Sequence, residues 1–354
     1  MTDADGHDSA TRLEFVHVAQ DPVTGLRACI AIHNTARGPA FGGCRMRSYE
    51  SEHAAITDAA RLAEGMTLKN ALAGLPFGGG KAVIFQPEEP ESRAQLFRAF
   101  GREVERLGGR YITAEDVGTT PEDMRAVNSV TRFVSGIPRS SGFGGDPGRF
   151  TAMGVFHAIR VAARTLLDQD SLEGLQIGVQ GLGAVGAELC ALLAAEKAEL
   201  WVSDLVPLRA ADVADRWGAK ILSSEALFEA ELDILSPCAL GAVFDVANVG
   251  KIQAKVIAGA ANNQLASLEI GDVLDTRGIW YLPDFLINAG GIIAVAREYL
   301  GTGSERAVRD EVQMIGPRVE QLIHMVRKEQ RPPARIAMAW AERLLQREAR
   351  ATAD

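Results

Sequence analysis

The chain uses lysine sparingly, with 7 lysines against 30 arginines, so a lysine in an apolar setting suggests chemistry rather than charge alone. Lys69 and Lys81 stand 12 residues apart in MTLKNALAGLPFGGGKAVIF, around Gly74, Gly78, Gly79 and Gly80. Burial and a neighbouring cation drive an ammonium toward neutrality, whereas a guanidinium stays charged, so a proton-transferring base is a lysine here and not an arginine. One lysine could hold an anion while the other titrates; the plain alternative is two surface lysines beside a glycine turn. Asp116, after the short strand-like Arg110-Tyr111-Ile112, is the candidate carboxylate, with Glu115 as its rival. An acid there also serves as a cap for the helix that Thr119-Thr120-Pro121-Glu122 opens. The histidines (His7, His17, His33, His53, His157, His324) are scattered without an HExxH pattern, so neither a metal site nor a histidine-based hydroxy-acid dehydrogenase is supported.

A second constellation is Gly181-Leu182-Gly183-Ala184-Val185-Gly186, which follows the strand-like LQIGVQ and opens the helical AVGAELCALLAA. That is the context in which GxGxxG means a dinucleotide turn. Gly181 permits the turn, Gly183 lets backbone N–H groups approach a pyrophosphate, and the helix N-terminus supplies partial positive charge. Asp204 closes the next strand 23 residues after Gly181, where a carboxylate accepts from ribose hydroxyls and repels a 2′-phosphate. NAD is therefore expected over NADP; the alternative is a tight turn with no ligand.

These residues need elements to hold them. Alternating apolar residues over 13–33 flank Asp21-Pro22-Val23-Thr24-Gly25 and predict a β-hairpin. Helical spacing appears over 51–66 and 92–107, around a strand over 82–85 entered from a tight turn at 78–81. A Gly, Ser and Pro-rich loop over 135–149 marks a boundary, with a helix from Val155. Beyond it strands alternate with helices, predicting a doubly wound parallel sheet, and an amphipathic helix runs from about 333. The expected fold is α/β in two domains. Residues 1–138 form a mixed substrate-binding and oligomerisation domain, 139–332 a Rossmann domain, and 333–354 a C-terminal helix packing back toward the first. A length of 354 residues fits about two domains. At 47% hydrophobic and 23% charged, the composition is that of a folded, soluble protein. A net charge of −9 without basic runs argues against nucleic acid. Four cysteines without CxxC spacing, a polar acidic start and no long apolar run predict a cytoplasmic protein, with no disulfide framework and no membrane span.

Seven ordered blocks extend the pattern: GPAFGGCRM (38–46), GMTLKNALAGLPFGGGKAV (65–83), GRYITAEDVGTTPEDM (109–124), VQGLGAVG (179–186), SPCALGAV (236–243), VIAGAANNQL (256–265) and LPDFLINAGG (282–291). With them the sequence resembles, over about residues 13–345, the amino-acid dehydrogenase family of leucine, valine, phenylalanine and glutamate dehydrogenases, and within it most the leucine branch. The resemblance implies that Lys69 binds the substrate carboxylate, Lys81 is the catalytic base, Asp116 assists proton transfer and Gly42-Gly43 line the substrate cleft. It places Thr151, Cys238, Ala239, Ala260 and Asn262 beside the cofactor, with Asn262 also reaching substrate. It implies NAD in the second domain, substrate between domains, and a homo-oligomer, an octamer or smaller. The implied reaction converts an apolar L-amino acid to the 2-oxo acid and ammonia, reversibly. Positions corresponding to the side-chain pocket are Phe41, Ala114, Ile292 and Val295, all apolar, which favours valine, isoleucine or leucine and leaves glutamate without a partner. An aromatic amino-acid dehydrogenase, with phenylalanine or tryptophan as substrate, and a catalytically silent NAD-binding regulator are the alternatives. Cys44 stands where relatives usually have Thr, and Gly145 to Phe150, with Arg149, departs from the leucine-branch pattern.

Overall fold

A computed structural model describes residues 13–87, 92–137, 144–239 and 243–351. The polar start, residues 138–143 of the expected boundary loop and 240–242 of SPCALGAV lie outside these. The chain forms two compact units, residues 1–137 with 347–354, and 138–346.

In the first unit, β1 (Phe15–Asp21) and β2 (Leu26–Asn34) form the expected hairpin, turned by Asp21 Oδ1 accepting from Val23 N at 3.0 Å and by Gly25 at φ +71°. The strands β3 (Ala40–Phe41), β4 (Cys44–Arg47), β5 (Gly78–Phe85) and β6 (Tyr111–Ile112) complete a mixed sheet in the order β1-β2-β5-β3-β6, with β4 also on β5. β5 runs antiparallel to β2 and parallel to β3 and β4. The helix α1 (Glu52–Leu72) lies on the sheet through Ala55, Ala59 and Ala63, packed with Val83, Ala31 and Cys29. Small side chains let helix and sheet approach closely. The helices α2 (Arg93–Arg106) and α3 (Pro121–Asn128) follow, α3 opened by a capping box of Thr120 and Asp123.

Gly78 to Gly80 were expected as a turn and are strand instead. The reason is close approach: a Cβ at Gly78 would lie 1.9 Å from Asn34 O, and one at Gly79 2.2 Å from Thr67 N. These glycines admit neighbouring backbone, not a bend.

In the second unit the strands β7 (Gln176–Gln180), β8 (Glu199–Ser203), β9 (Lys220–Ile221), β10 (Ile234–Pro237), β11 (Val256–Ile257) and β12 (Trp280–Tyr281) are all parallel. Their order, β12-β11-β10-β7-β8-β9, is doubly wound, with the reversal at β7 and β10. The helices are α4 (Gly148–Leu166), α5 (Ala184–Ala195), α6 (Pro207–Trp217), α7 (Ser224–Glu229), α8 (Leu268–Thr276), α9 (Asp284–Ile287), α10 (Gly290–Tyr299), α11 (Glu305–Gln313), α12 (Ile315–Glu329) and α13 (Pro333–Ala351). The first of these starts at Gly148, before the expected Val155, because Asp146 Oδ1 accepts from Gly148 N at 2.8 Å and satisfies a terminal donor. Among the described residues no helix is long and apolar enough to cross a membrane, and none gather into a metal-ligating group.

Candidate active site

Lys81 is the fourth residue of β5 and its side chain is only 7% exposed. Its Nζ lies 2.9 Å from Asp116 Oδ2, so the structure joins the lysine and the acid that the sequence singled out. The link between β3 and β4 makes room: a Cβ at Gly43 would fall 3.0 Å from Asp116 Cβ and 2.5 Å from Glu115 O. The turn after Glu115 fixes the acid, since Thr119 Oγ1 accepts from Asp116 N at 2.9 Å and donates to Cys44 O at 3.1 Å. Gly118, at φ +81°, passes so close to Met46 O that no side chain fits.

A second cation shares the same carboxylate oxygen. Arg45 Nε donates to Asp116 Oδ2 at 3.1 Å, and its Nη1 reaches Asp58 Oδ2 at 3.3 Å. Asp58 Oδ2 also accepts from the Tyr49 hydroxyl at 2.7 Å. Burial alone would raise the Asp116 carboxyl, but Lys81 and Arg45 overrule it and bring its pKa down to about 2. Burial likewise pulls the Arg45 guanidinium down, and the carboxylates of Asp116 and Asp58 return it above its ordinary value. Cys44 is sealed next to this network, its thiol pushed up to about 12 by burial, and is therefore inert. Arg45, Asp58 and Tyr49 had no role in the sequence reading. The available signal was strand periodicity, because Arg45 falls two residues after Gly43 and shares its face.

Lys69 is half-buried in the last turn of α1. It shares a helix face with Met66, whose Cγ would lie 3.1 Å from a Cβ at Gly42. Asn70, beside it, donates from Nδ2 to Phe41 O at 3.2 Å and Gly78 O at 2.6 Å, tying α1 to the strands that carry the glycine pair and Lys81. The Tyr111 hydroxyl donates to Gly42 O at 2.6 Å. Phe41 is fully buried, edge-on to Phe77 with ring centroids 5.0 Å apart, and Ala114 is buried as well.

In the second unit Gly181 follows β7 at φ +88°, and a Cβ there would meet Ala239 N at 2.7 Å. At Gly186 a Cβ would lie 1.9 Å from Gly181 O, so this glycine permits close packing of α5 on the turn. Gly183 is different: a Cβ there meets nothing within 4 Å, and Gly183 and Ala184 are exposed at the N-terminus of α5. Leu182 is buried and Val185 half-buried. Asp204 Oδ2 accepts from Leu182 N at 2.6 Å and its Oδ1 from Val206 N at 2.7 Å, which sets the carboxylate at the end of β8. Open space over a helix N-terminus with an acid at the next strand end fits a dinucleotide.

Other candidates gather in the same unit. Cys238 follows β10, its Sγ 3.6 Å from Ser236 Oγ, and Ala239 is next to it. Asn288 Nδ2 donates to Ala260 O and to Asn262 Oδ1, both at 3.0 Å, which orients the exposed Asn262. Thr151 lies on α4 against the start of α10, where a Cβ at Gly291 would approach its Oγ1 to 2.6 Å. Ile292 and Val295 are buried on α10. Arg149 stacks on Phe150 at 4.6 Å and pairs with Glu305 at 3.3 Å.

A chain with one doubly wound unit that carries an open glycine turn, and another unit that holds a buried lysine and carboxylate, has the parts of an oxidoreductase of the dinucleotide-dependent class. Comparison with known proteins narrows the class. Residues 9–132 match the Glu/Leu/Phe/Val dehydrogenase dimerisation domain, and 208–340 match the Glutamate/Leucine/Phenylalanine/Valine dehydrogenase model. The chain is 45% identical over 328 residues to leucine dehydrogenase of Bacillus subtilis (strain 168), covering 93% of this chain and 90% of that one. It is 42% identical to phenylalanine dehydrogenase of Bacillus thermotolerans, covering 83% and 78%. The crystal structure of L-tryptophan dehydrogenase from Nostoc punctiforme superposes with a TM-score of 0.81 at 36% identity, covering 96% and 97%. The chain belongs to the Glu/Leu/Phe/Val dehydrogenase family.

Proposed function

We propose that the protein is an NAD-dependent dehydrogenase that deaminates an apolar L-amino acid, leucine, valine or isoleucine by preference, to the 2-oxo acid and ammonia, and catalyses the reverse amination. The observation that carries this is the buried contact of Lys81 Nζ with Asp116 Oδ2 at 2.9 Å, in a chain 45% identical to a leucine dehydrogenase. Bound nicotinamide supplies the acceptor for the α-hydride. The remaining work is proton handling and holding substrate. Lys69 binds the substrate carboxylate beside Gly42 and Gly43. Lys81 takes a proton from the water that adds to the imine carbon, and returns it to the departing nitrogen as ammonia leaves. Asp116 holds the lysine amine in place.

The cofactor sits on Gly181 to Gly186, bordered by Thr151, Cys238, Ala239, Ala260 and Asn262. Asp204 accepts from its ribose hydroxyls, which selects NAD over a 2′-phosphorylated cofactor. The substrate side chain is received by Phe41, Ala114, Ile292 and Val295, with no cation among them for a γ-carboxylate. The dimerisation-domain match supports a homo-oligomer, and four free cysteines suit the cytoplasm. A preference for phenylalanine or tryptophan is the second reading, favoured by the likeness to the L-tryptophan dehydrogenase structure.

The test is NADH formation at mildly alkaline pH with leucine, valine, isoleucine, phenylalanine, tryptophan and glutamate, each with NAD and NADP. The highest kcat/KM is expected for an aliphatic substrate with NAD. A lead for phenylalanine or tryptophan would establish the second reading, and dinucleotide binding without turnover in either direction would mark a silent binder.

A further inference from the structure

Lys81 and Arg45 lie on the same side of the first unit's sheet. The parallel register pairs Cys44 with Ala82 and Arg45 with Val83, so Gly43 stands opposite Lys81. Registered neighbours point to one face, and positions two apart along a strand share it. That face is covered by α1, which contributes Asp58. Positive and negative groups then alternate in one chain of contacts: Lys81, Asp116, Arg45, Asp58, ending at the Tyr49 hydroxyl.

We propose that Arg45 is a positioning residue of this site: it shares Asp116 Oδ2 with Lys81, keeps Asp116 a fixed anion rather than a proton carrier, and thereby eases release of the Lys81 proton. This rests on the functional reading above and changes one part of it, the proton-assisting role that the family resemblance implies for Asp116.

Three features support the assignment. First, both donors meet the same oxygen, Lys81 Nζ at 2.9 Å and Arg45 Nε at 3.1 Å, so each dilutes the hold of that oxygen on the other. Second, Arg45 is tethered away from Asp116 by a different nitrogen, Nη1, on Asp58, and Asp58 is itself held by Tyr49. A guanidinium can span two carboxylates from two edges, and an ammonium has no such fork, so the residue type fits the geometry. Third, the titratable groups around Asp116 come from several elements: Lys81 on β5, Arg45 and the inert Cys44 on β4, Tyr111 on β6, kept protonated by burial with its hydroxyl donated to Gly42 O, Asp58 on α1 acting through Arg45, and Tyr49 just after β4 acting through Asp58. With Arg45 present, a proton leaving Lys81 has no low-energy place on Asp116 and passes to water or substrate. Without it the whole charge of Asp116 falls on the lysine ammonium.

The experiment is kcat and KM for leucine with NAD from about pH 6.5 to 10.5 on the oligomeric enzyme, for wild type, Arg45→Gln and Arg45→Lys. Arg45→Gln is expected to lower kcat about tenfold or more, with KM changed about threefold or less, and to move the acid limb of kcat/KM about one unit up in pH. Arg45→Lys restores the charge without the fork, so it is expected to return the acid limb toward wild type and only part of kcat. An acid limb unmoved in Arg45→Gln, or equally displaced in both variants, overturns the proposal. Should Arg45→Gln fail to fold, Asp58→Asn tests the tether: a kcat about two- to fivefold lower at unchanged KM is expected, and wild-type kinetics overturn it. If wild type turns over no amino acid, the functional reading fails by itself. Arg45 is then tested by NMR titration of the labelled Asp116 carboxyl, which is expected near pH 2 in wild type and closer to the ordinary aspartate range in Arg45→Gln, where the second cation is lost. An Asp116 titration unchanged by the substitution overturns the proposal.

Discussion

In the first unit, glycine lets protein meet protein: a Cβ at Gly42 would lie 1.9 Å from Gly80 O, and one at Gly79 2.2 Å from Thr67 N. In the second, Gly183 faces space, with nothing within 4 Å of the place a Cβ would take. Each set of glycines lies among candidate site residues of its own unit, yet the first draws α1 and its strands together around Lys81, and Gly183 in the second is left open. The charged groups follow the same division. Lys81, Asp116, Arg45 and Asp58 compensate one another without a ligand, so that end is organised in advance. At the N-terminus of α5, Gly183 and Ala184 are exposed, and the nearby Leu182 N is held by Asp204 Oδ2.

The contrast can be broken by substitution. Gly79→Ala must force Thr67 backbone away from β5, and is expected to cost about 3 kcal/mol or more, read as loss of the folded enzyme in urea unfolding. Normal stability would mean that the close approach is not needed.

A smaller effect concerns Asp116. Its folded pKa of about 2 lies below the ordinary 3.8, so its contribution is fully present above about pH 4 and is lost as the pH falls through 2. The displacement corresponds to about 2 kcal/mol at neutral pH. Wild type is therefore expected to exceed Asp116→Asn in stability at pH 7, with the margin closing between pH 4 and 2. A margin independent of pH would contradict the paired carboxylate.

The smallest effect on the protein itself is expected at Gly183, whose φ of −70° suits alanine. Gly183→Ala should leave the melting temperature of the ligand-free enzyme unchanged or slightly higher, and weaken NAD about tenfold by titration calorimetry. Unchanged affinity would remove the turn from the cofactor site.

The same contrast explains what the sequence made legible. The glycine turn of the second unit is built from local rules: β7, the turn, α5, β8 and Asp204 are consecutive in the chain and form the strand, turn and helix that the sequence predicts, whereas α4 starts well before the expected Val155. The chemistry of the first unit was legible where composition made it unusual. Lys69 and Lys81 stood out from a chain of arginines, and Asp116 from its place after a short strand. Arg45 was hidden by the same composition, being one arginine of 30. Its partner Asp58 is a polar residue on a long helix, and nothing local says that it faces the sheet. Gly78 to Gly80 read as a turn because sequence shows the absence of a side chain but not the backbone that takes its place.

The central claim is that the buried pair of Lys81 and Asp116 performs the chemistry of an enzyme whose cofactor turn is elsewhere. The direct measurement is leucine-dependent NADH formation by wild type and Lys81→Ala, with NAD affinity determined on the same preparations. Arg45 remains on Asp116 in the variant, so the fold should persist. The expected result is a loss of about 10²–10⁴-fold in kcat with NAD binding retained. Near-normal turnover by Lys81→Ala would contradict the account.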